Sequence, residues 1–343
     1  LHHQGSPQLF QGQRLNENTT APQNGQSFYL EFFMTELERL TGSNRIPSDH
    51  TRYCNGRIVS LMSMYLNFMP RAITPEALED VAASCNLPRE RAYGECLAAL
   101  CEVGTDRAER EFTAEYIVPM VRELDPSVFE SDPYYQTVRF PTGKQGKWEL
   151  KTMELAPCEA FVCNDFRVFP DGRMLPQIGF FSRTYRYPAV LENGREWMTL
   201  MPNETITTLP AVAKAKGKVL TYGLGLGYFP FMTSRKEEVT SVTVVERSSD
   251  VIKLFKEHIL PQFPNKEKIR VICADAFDYA KAQMPAEDYD FVFADIWHDV
   301  GDGRELYLKM KELEHLSPGT EYAYWLEDTI RCYLAAELWP PRV

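Results

Sequence analysis

The sequence predicts an α/β protein whose C-terminal part is a doubly wound, Rossmann-like, mostly parallel sheet. Three observations carry that prediction. Short apolar runs without polar alternation recur from Gly217 onward, at Val219–Tyr222, Val242–Val245, Ile269–Cys273 and Phe291–Ala294; strands buried on both faces read this way. Helical patterns separate the runs, as crossovers between parallel strands do. The first run passes directly into Gly223-Leu-Gly225-Leu-Gly227 and then a helical pattern, a turn that aims backbone N–H groups at a ligand.

Three regions are expected ahead of this sheet. Residues 1–27 are rich in Gln, Asn, Gly, Ser and Pro and cannot bury enough apolar surface to offset ordering entropy, so they read as a flexible tail. Within them Leu9-Phe10-Gln11-Gly12 resembles a protease-site scar, which sets part of the tail apart from the native protein. Residues 28–131 read as helical. Phe28, Leu30, Phe32, Phe33, Leu37 and Leu40 mark one amphipathic helix, and Ile58–Met69 a largely buried second. Thr74-Pro75 is an N-cap and first-turn pair opening a third helix through Ala82. Pro88 opens a fourth, and Arg107–Leu124 a fifth with Pro119 near its end. This region is expected to cap a site or to form a homodimer.

Residues 132–210 read as a small antiparallel β region, with strand runs at Trp148–Leu155, Ala160–Val168, Gly179–Tyr187 and Trp197–Leu200. Gly143, Gly146, Pro170-Asp171-Gly172 and Asn193-Gly194 punctuate them, and Asn-Gly between two such runs signals a hairpin. Residues 211–343 complete the sheet domain, with a fifth strand over Glu321–Leu326 and a last helix over Asp328–Leu338. A terminal antiparallel hairpin has no matching sequence, so a shortened sheet is expected.

Composition narrows the function. The 343 residues, 44% of them hydrophobic, suffice for two domains, or for one large domain with an appendage. Lys plus Arg number 37 against 48 Asp plus Glu, a net charge of −11, which repels phosphate backbones and anionic lipid. Neither nucleic acid nor membrane is therefore an expected partner, and the helix-turn-helix-like stretch Leu78–Leu100 reads as a helical module. No apolar run reaches the ~18–20 residues of a membrane span. The eight cysteines include no C-x-x-C pair and read as buried, reduced thiols. With no leading secretory segment, this fits a cytoplasmic protein.

The strand ends carry the chemistry. A dinucleotide fingerprint wants a third glycine where Tyr228 stands, which disfavours a nicotinamide cofactor. Glu246 closes the second strand, placed to accept from both hydroxyls of a ribose. The third ends in Cys273-Ala274-Asp275-Ala276, where Asp275 can accept from an adenine amino group while neighbouring amides read the ring edge. The fourth ends in Ala294-Asp295-Ile296-Trp297-His298-Asp299, two carboxylates, an imidazole and an indole at the edge where open sheets bind ligands. His298, with a reference pKa near ~6.5, is the natural base candidate, and Asp299 can orient it. Trp297, Tyr222 and Tyr228 can offer aromatic faces to a cation. Arg183 and Arg186, among the aromatics of Gly179–Tyr187, fit a carboxylate pocket or a plain amphipathic strand. No metal-ligand spacing is present.

Residues 217–326 resemble the class I S-adenosylmethionine-dependent methyltransferase fold, on the glycines at 223–227, Glu246, Asp275-Ala276 and Asp295. A β region, then Met201-Pro202-Asn203-Glu204-Thr205, then the glycine strand resembles its spermidine-synthase-like branch more specifically. The chain departs from these patterns at Thr221, where methyltransferases carry an acid, and at Leu226, where aminopropyltransferases carry Asp. It departs again in the four-residue step from Asp295 to Asp299. The resemblance implies S-adenosylmethionine as cofactor, held by Tyr222, Gly223, Gly225, Gly227, Glu246, Arg247, Asp275, Ala276 and Asp295. It also implies displacement at a carbon of the sulfonium, with Asp295, His298 and Asp299 as the catalytic candidates. Methyl transfer to a small-molecule acceptor is the simplest expectation. The alternatives are aminopropyl transfer from decarboxylated S-adenosylmethionine with release of methylthioadenosine, and a cofactor-binding regulator without turnover.

Overall fold

The computed structural model describes residues 47–140 and 142–338; the expected tail and the helix begun at Phe28 lie outside the described residues. The chain forms two compact units, each assembled from separate stretches. A sheet unit comprises Asp125–Pro157 and Arg183–Glu327, and a helical unit comprises the described residues up to Leu124, Cys158–Ser182 and those from Asp328 on.

In the helical unit, α1 (Asp49–Phe68) starts at Ser48, whose hydroxyl accepts from Thr51 N at 3.1 Å. Thr74 caps α2 (Pro75–Cys85) as the Thr-Pro pair predicts, and α3 spans Arg89–Leu100. The fifth predicted helix is shorter than its pattern. Helix α4 (Arg107–Phe112) continues through a widened turn at Thr113–Ile117 and a last piece at Val118–Met120, and the chain then becomes strand β1 (Val121–Leu124). Pro119 supplies no N–H and crowds the preceding turn, which widens and stops the helix there.

Two short helices follow in the sheet unit, α5 (Pro126–Glu130) and α6 (Pro133–Thr137), each opened by an Asp N-cap and a proline. Strands β2 (Gly143–Gln145) and β3 (Trp148–Leu155) come next. Strands β4 (Phe161–Val168) and β5 (Met174–Phe181) then belong to the helical unit, and β6 (Tyr185–Glu192) and β7 (Arg195–Thr199) to the sheet unit. The expected single β region is thus two sheets. One has the order β1-β5-β4 with β1 parallel to β5, and the other is the antiparallel β2-β3-β6-β7. The run Gly179–Tyr187 is not one strand but the end of β5 and the start of β6. Asn193 and Gly194, at φ 51° and 80°, make the predicted hairpin turn between β6 and β7.

Helix α7 (Pro202–Lys214) leads into the alternating part: β8 (Gly217–Tyr222), α8 (Tyr228–Ser234), β9 (Val239–Glu246) and α9 (Ser249–Leu254). It continues with β10 (Ile269–Cys273), α10 (Ala276–Ala282), β11 (Phe291–Ala294), α11 (Val300–Leu313) and β12 (Glu321–Tyr324). These five strands pair entirely in parallel, in the order β10-β9-β8-β11-β12, the doubly wound α/β sheet the sequence predicts. The order reverses between β8 and β11, which opens a crevice at their carboxyl ends. Their central residues Val219, Leu220, Phe291 and Val292 are wholly buried.

Helix α12 (Glu327–Leu338) closes the described chain. In the helical unit Asp165 caps it, accepting from Thr329 N at 2.7 Å and Asp328 N at 3.2 Å. Cys54, Cys158, Cys163 and Cys332 are buried, but Cys85 and Cys273 are exposed, against the reading of all eight thiols as interior. Cys273 ends an edge strand, with β9 on one side only. Among the described residues no helix is long and apolar enough to cross a membrane.

Candidate functional site

The candidate site lies in the sheet unit, where β8 runs into the glycine turn. Gly223 adopts φ +95°, and a Cβ there would collide with the carbonyl oxygen of Asp295. This close approach ties the end of β8 to the end of β11, where Asp295 N donates to Tyr222 O at 2.9 Å. Gly225 and Gly227 are also left-handed, and the space beside Gly225 is taken by the Met198 sulfur from β7. Side chains of the protein itself thus cover part of the turn.

Glu246 is bound to that turn. Its Oε2 accepts from Leu224 N at 3.2 Å and its Oε1 from Ser248 N at 2.8 Å. A carboxylate has about four lone-pair positions, so capacity for further donors remains. Asp275 is exposed and caps α10, its Oδ1 accepting from Phe277 N at 2.9 Å and Asp278 N at 3.1 Å. Ala276 is the buried first residue of that helix. Arg247 is exposed, and its carbonyl accepts from Cys273 Sγ at 3.8 Å.

Of Trp297, Tyr222 and Tyr228, which can either offer aromatic faces or pack in the core, the first two pack. Tyr222 is wholly buried, with its ring against Tyr279 and its hydroxyl on the Met284 sulfur at 3.2 Å. Trp297 is buried and stacks on Tyr324 at 6.4 Å. Tyr222 ends β8, whose period-two alternation turns its ring into the core, and Trp297, in the loop after β11, is taken in by tight packing. Tyr228 is buried and donates to Asp132 Oδ2 at 2.9 Å. The neighbouring Tyr134 and Tyr135 of α6 donate to the carbonyls of Leu226 and Leu200, so α6 holds both the glycine turn and the end of β7. Sequence reading missed these two tyrosines, because a bond to a carbonyl demands no partner residue type.

A cavity of about 30 Å³ lies against the turn. Glu204 and Thr208 from α7 face it with Met198, Thr221 and Asp295, and no Lys, Arg or His does. Burial pushes the Glu204 carboxyl well above the usual range, and the charge of Asp295 adds to it. Burial raises Asp295 to about 7, with the charge of Glu246 adding. The sequence reading includes Glu204 only within the Met201–Thr205 run ahead of the glycine strand and gives it no role in the site. Glu204 and Asp295 thus hold extra protons in the folded state. For such acids, stability is fully present below the unfolded pKa and is lost as pH rises through the folded value. Tm is therefore expected to fall by a few degrees between about pH 5 and about pH 8, less steeply in Glu204→Gln. An equal slope in parent and variant, by calorimetry, would contradict the assignment.

His298 sits differently from a free base. Its Nδ1 lies 3.8 Å from Asp299 Oδ2, and its Nε2 lies 3.5 Å from the Glu196 carbonyl on β7. Both partners only accept, so the doubly protonated ring satisfies both. The Asp299 carboxylate raises the His298 pKa, and His298 in turn lowers that of Asp299. Asp299 also caps α11, reciprocally with Asp302. Arg183 and Arg186 line a surface cavity of about 570 Å³ together with Glu130, Glu154 and Thr184. Arg183 pairs with Glu130 at 2.7 and 2.6 Å, and Arg186 lies 3.6 Å from Glu154. A scan of the chain against models of protein families finds no match, and a search of curated proteins finds no significant relative.

Proposed function

We propose that the protein is an S-adenosylmethionine-dependent transferase that moves a methyl group to a small-molecule acceptor. One observation carries this reading: the acid closing β9 is hydrogen-bonded into the glycine turn of β8, beside the point where strand order reverses. A carboxylate with spare acceptor capacity and the glycine turn meeting at one crevice support a ribose-binding role for Glu246. The donor set fits the cofactor in parts. Glu246 has acceptor capacity for two sugar hydroxyls, the second oxygen of Asp275 is left over from helix capping for an adenine amino group, and Glu204 and Asp295 suit a cationic amine.

When bound, the cofactor supplies an alkyl carbon made electrophilic by the sulfonium. The chain's own task is alignment of nucleophile, carbon and sulfur, the effect that dominates such displacements. His298, its ring nitrogens facing the Asp299 carboxylate and the Glu196 carbonyl, orients the loop after β11 against β7 and is the base candidate of the site. Met198 must swing from Gly225 for a nucleotide to lie along the turn.

The expected result is a rise in Tm with S-adenosylmethionine that Glu246→Ala loses by about tenfold or more in apparent affinity. A full shift retained in the variant would remove the ribose role, and no shift in the parent would remove the reading. A second reading, aminopropyl transfer from decarboxylated S-adenosylmethionine, is favoured by the absence of any cation among the cavity residues to meet a cofactor carboxylate. Methylthioadenosine as product, in place of S-adenosylhomocysteine, would decide for it.

A further inference from the structure

We infer that the exposed stripe of α1 is a homodimer interface, on which a second copy of this chain lies antiparallel about a twofold axis at Ser60. The inference lies wholly in the helical unit and does not rest on the proposed transferase. Tyr53, Met64 and Phe68 are 56%, 37% and 80% exposed. At helical spacing they share one face of α1 with the exposed Gly56 and Ser60. A single exposed apolar side chain is ordinary, whereas three along one stripe of about 22 Å mark an interaction surface. The polar residues on and beside this face are committed within the unit. Ser60 donates to Gly56 O at 3.0 Å, Asn67 to Ser63 Oγ at 3.3 Å, and Arg57 pairs with Glu109. Covering the stripe therefore costs little polar desolvation.

The stripe is its own complement. In a twofold interface residue i meets j and j meets i, so an antiparallel pair centred on Ser60 sets Gly56 against the partner's Met64 and Tyr53 against the partner's Phe68. A Cβ on Gly56 would find nothing within 4 Å among the described residues. The fold of one copy thus does not ask for glycine there, and glycine inside a helix is unfavourable. The gap fits the flexible thioether of a neighbouring methionine, and the small Ser60 lets the two helices approach closely. The ends match in charge as well. Asp49 opens α1 with its side chain 64% exposed, and Arg71 lies just beyond the other end at 54%, their in-chain partners being Arg52 and Glu159. Antiparallel copies bring these opposite charges together, whereas parallel copies would set Asp49 against Asp49.

A face of this length falls at the lower end of specific interfaces, so sedimentation equilibrium of the full chain is expected to show a dimer dissociating at about 1–50 μM. Gly56→Leu fills the gap and should weaken the dimer about thirtyfold or more. The helical circular dichroism should be kept, because one copy leaves that space open. Phe68→Glu should act alike. Asp49→Arg and Arg71→Glu should each weaken the dimer about twofold to fivefold, and their combination should restore it. A monomer at about 300 μM overturns the inference. In that case a lower Tm for Phe68→Glu gives the stripe to another stretch of the same chain, and an unchanged Tm gives it to a different protein. A dimer indifferent to Gly56→Leu and Phe68→Glu uses another face and overturns it too. Weakening by both charge variants without rescue in their combination overturns the antiparallel arrangement.

Discussion

Gly223→Ala is expected to destabilise the sheet unit by about 2–5 kcal/mol, combining a left-handed conformation costing roughly 1–2 kcal/mol with overpacking of about 1–3 kcal/mol. The residue holds φ +95°, and its missing Cβ is the space in which the Asp295 carbonyl sits. That oxygen belongs to backbone, so no rotamer change can relieve the collision. Relief would require separating the ends of β8 and β11, which Tyr222 O and Asp295 N tie at 2.9 Å. Thermal melting should show a drop of about 10 °C. A variant melting within about 2 °C of the parent would mean that the turn is softer than its geometry requires.

Phe180→Ala is expected to cost the helical unit about 3–5 kcal/mol through lost transfer energy and the cavity left behind. Phe180 is wholly buried and stacks on Tyr93 with centroids 4.3 Å apart and planes 11° from parallel. Tyr93 is fixed on its other edge, its hydroxyl 3.0 Å from that of Tyr65 and 3.0 Å from the Cys158 carbonyl. Because these bonds pin Tyr93, the ring cannot slide into the vacated space. Urea unfolding should give a lower midpoint with an unchanged slope, and a loss under about 1 kcal/mol would show that the core repacks.

The parallel sheet was legible because a strand buried on both faces has no other way to look. Phe291–Ala294 is a continuous apolar run and Val219–Tyr222 is interrupted only by the small Thr221, and a helix in their place would need more residues to bury as much. The Thr74-Pro75 start and the Asn193-Gly194 turn were legible for a local reason, since cap and turn chemistry lies within a few bonds. The failures were nonlocal. Val121–Leu124 continued a helical pattern, and only its parallel pairing with β5 makes it a strand. The split of the β region was invisible because β3 and β4 have similar composition, while β3 takes β6 as its partner across the intervening β4–β5 pair.

In the site, the glycines and Glu246 could be read because backbone shape and strand termini restrict residue type. Where Tyr222 and Trp297 point depends on packing that no short window contains. Glu204 was hidden for the opposite reason. An acid at the start of a helix is ordinary in sequence, and becomes unusual only when folding encloses it with another.

The interleaving of the two units has a consequence for synthesis and engineering. Strand β1 waits for β5 before it has a partner, and the Asp165 carboxylate waits for α12. No cut at a single peptide bond outside the outermost stretches leaves the helical unit's hydrophobic interior whole, because its segments lie before, within and after those of the sheet unit. A nascent chain must keep the early helices from aggregating until distant segments arrive, so truncation series will report misfolding where a beads-on-a-string protein would report separable modules.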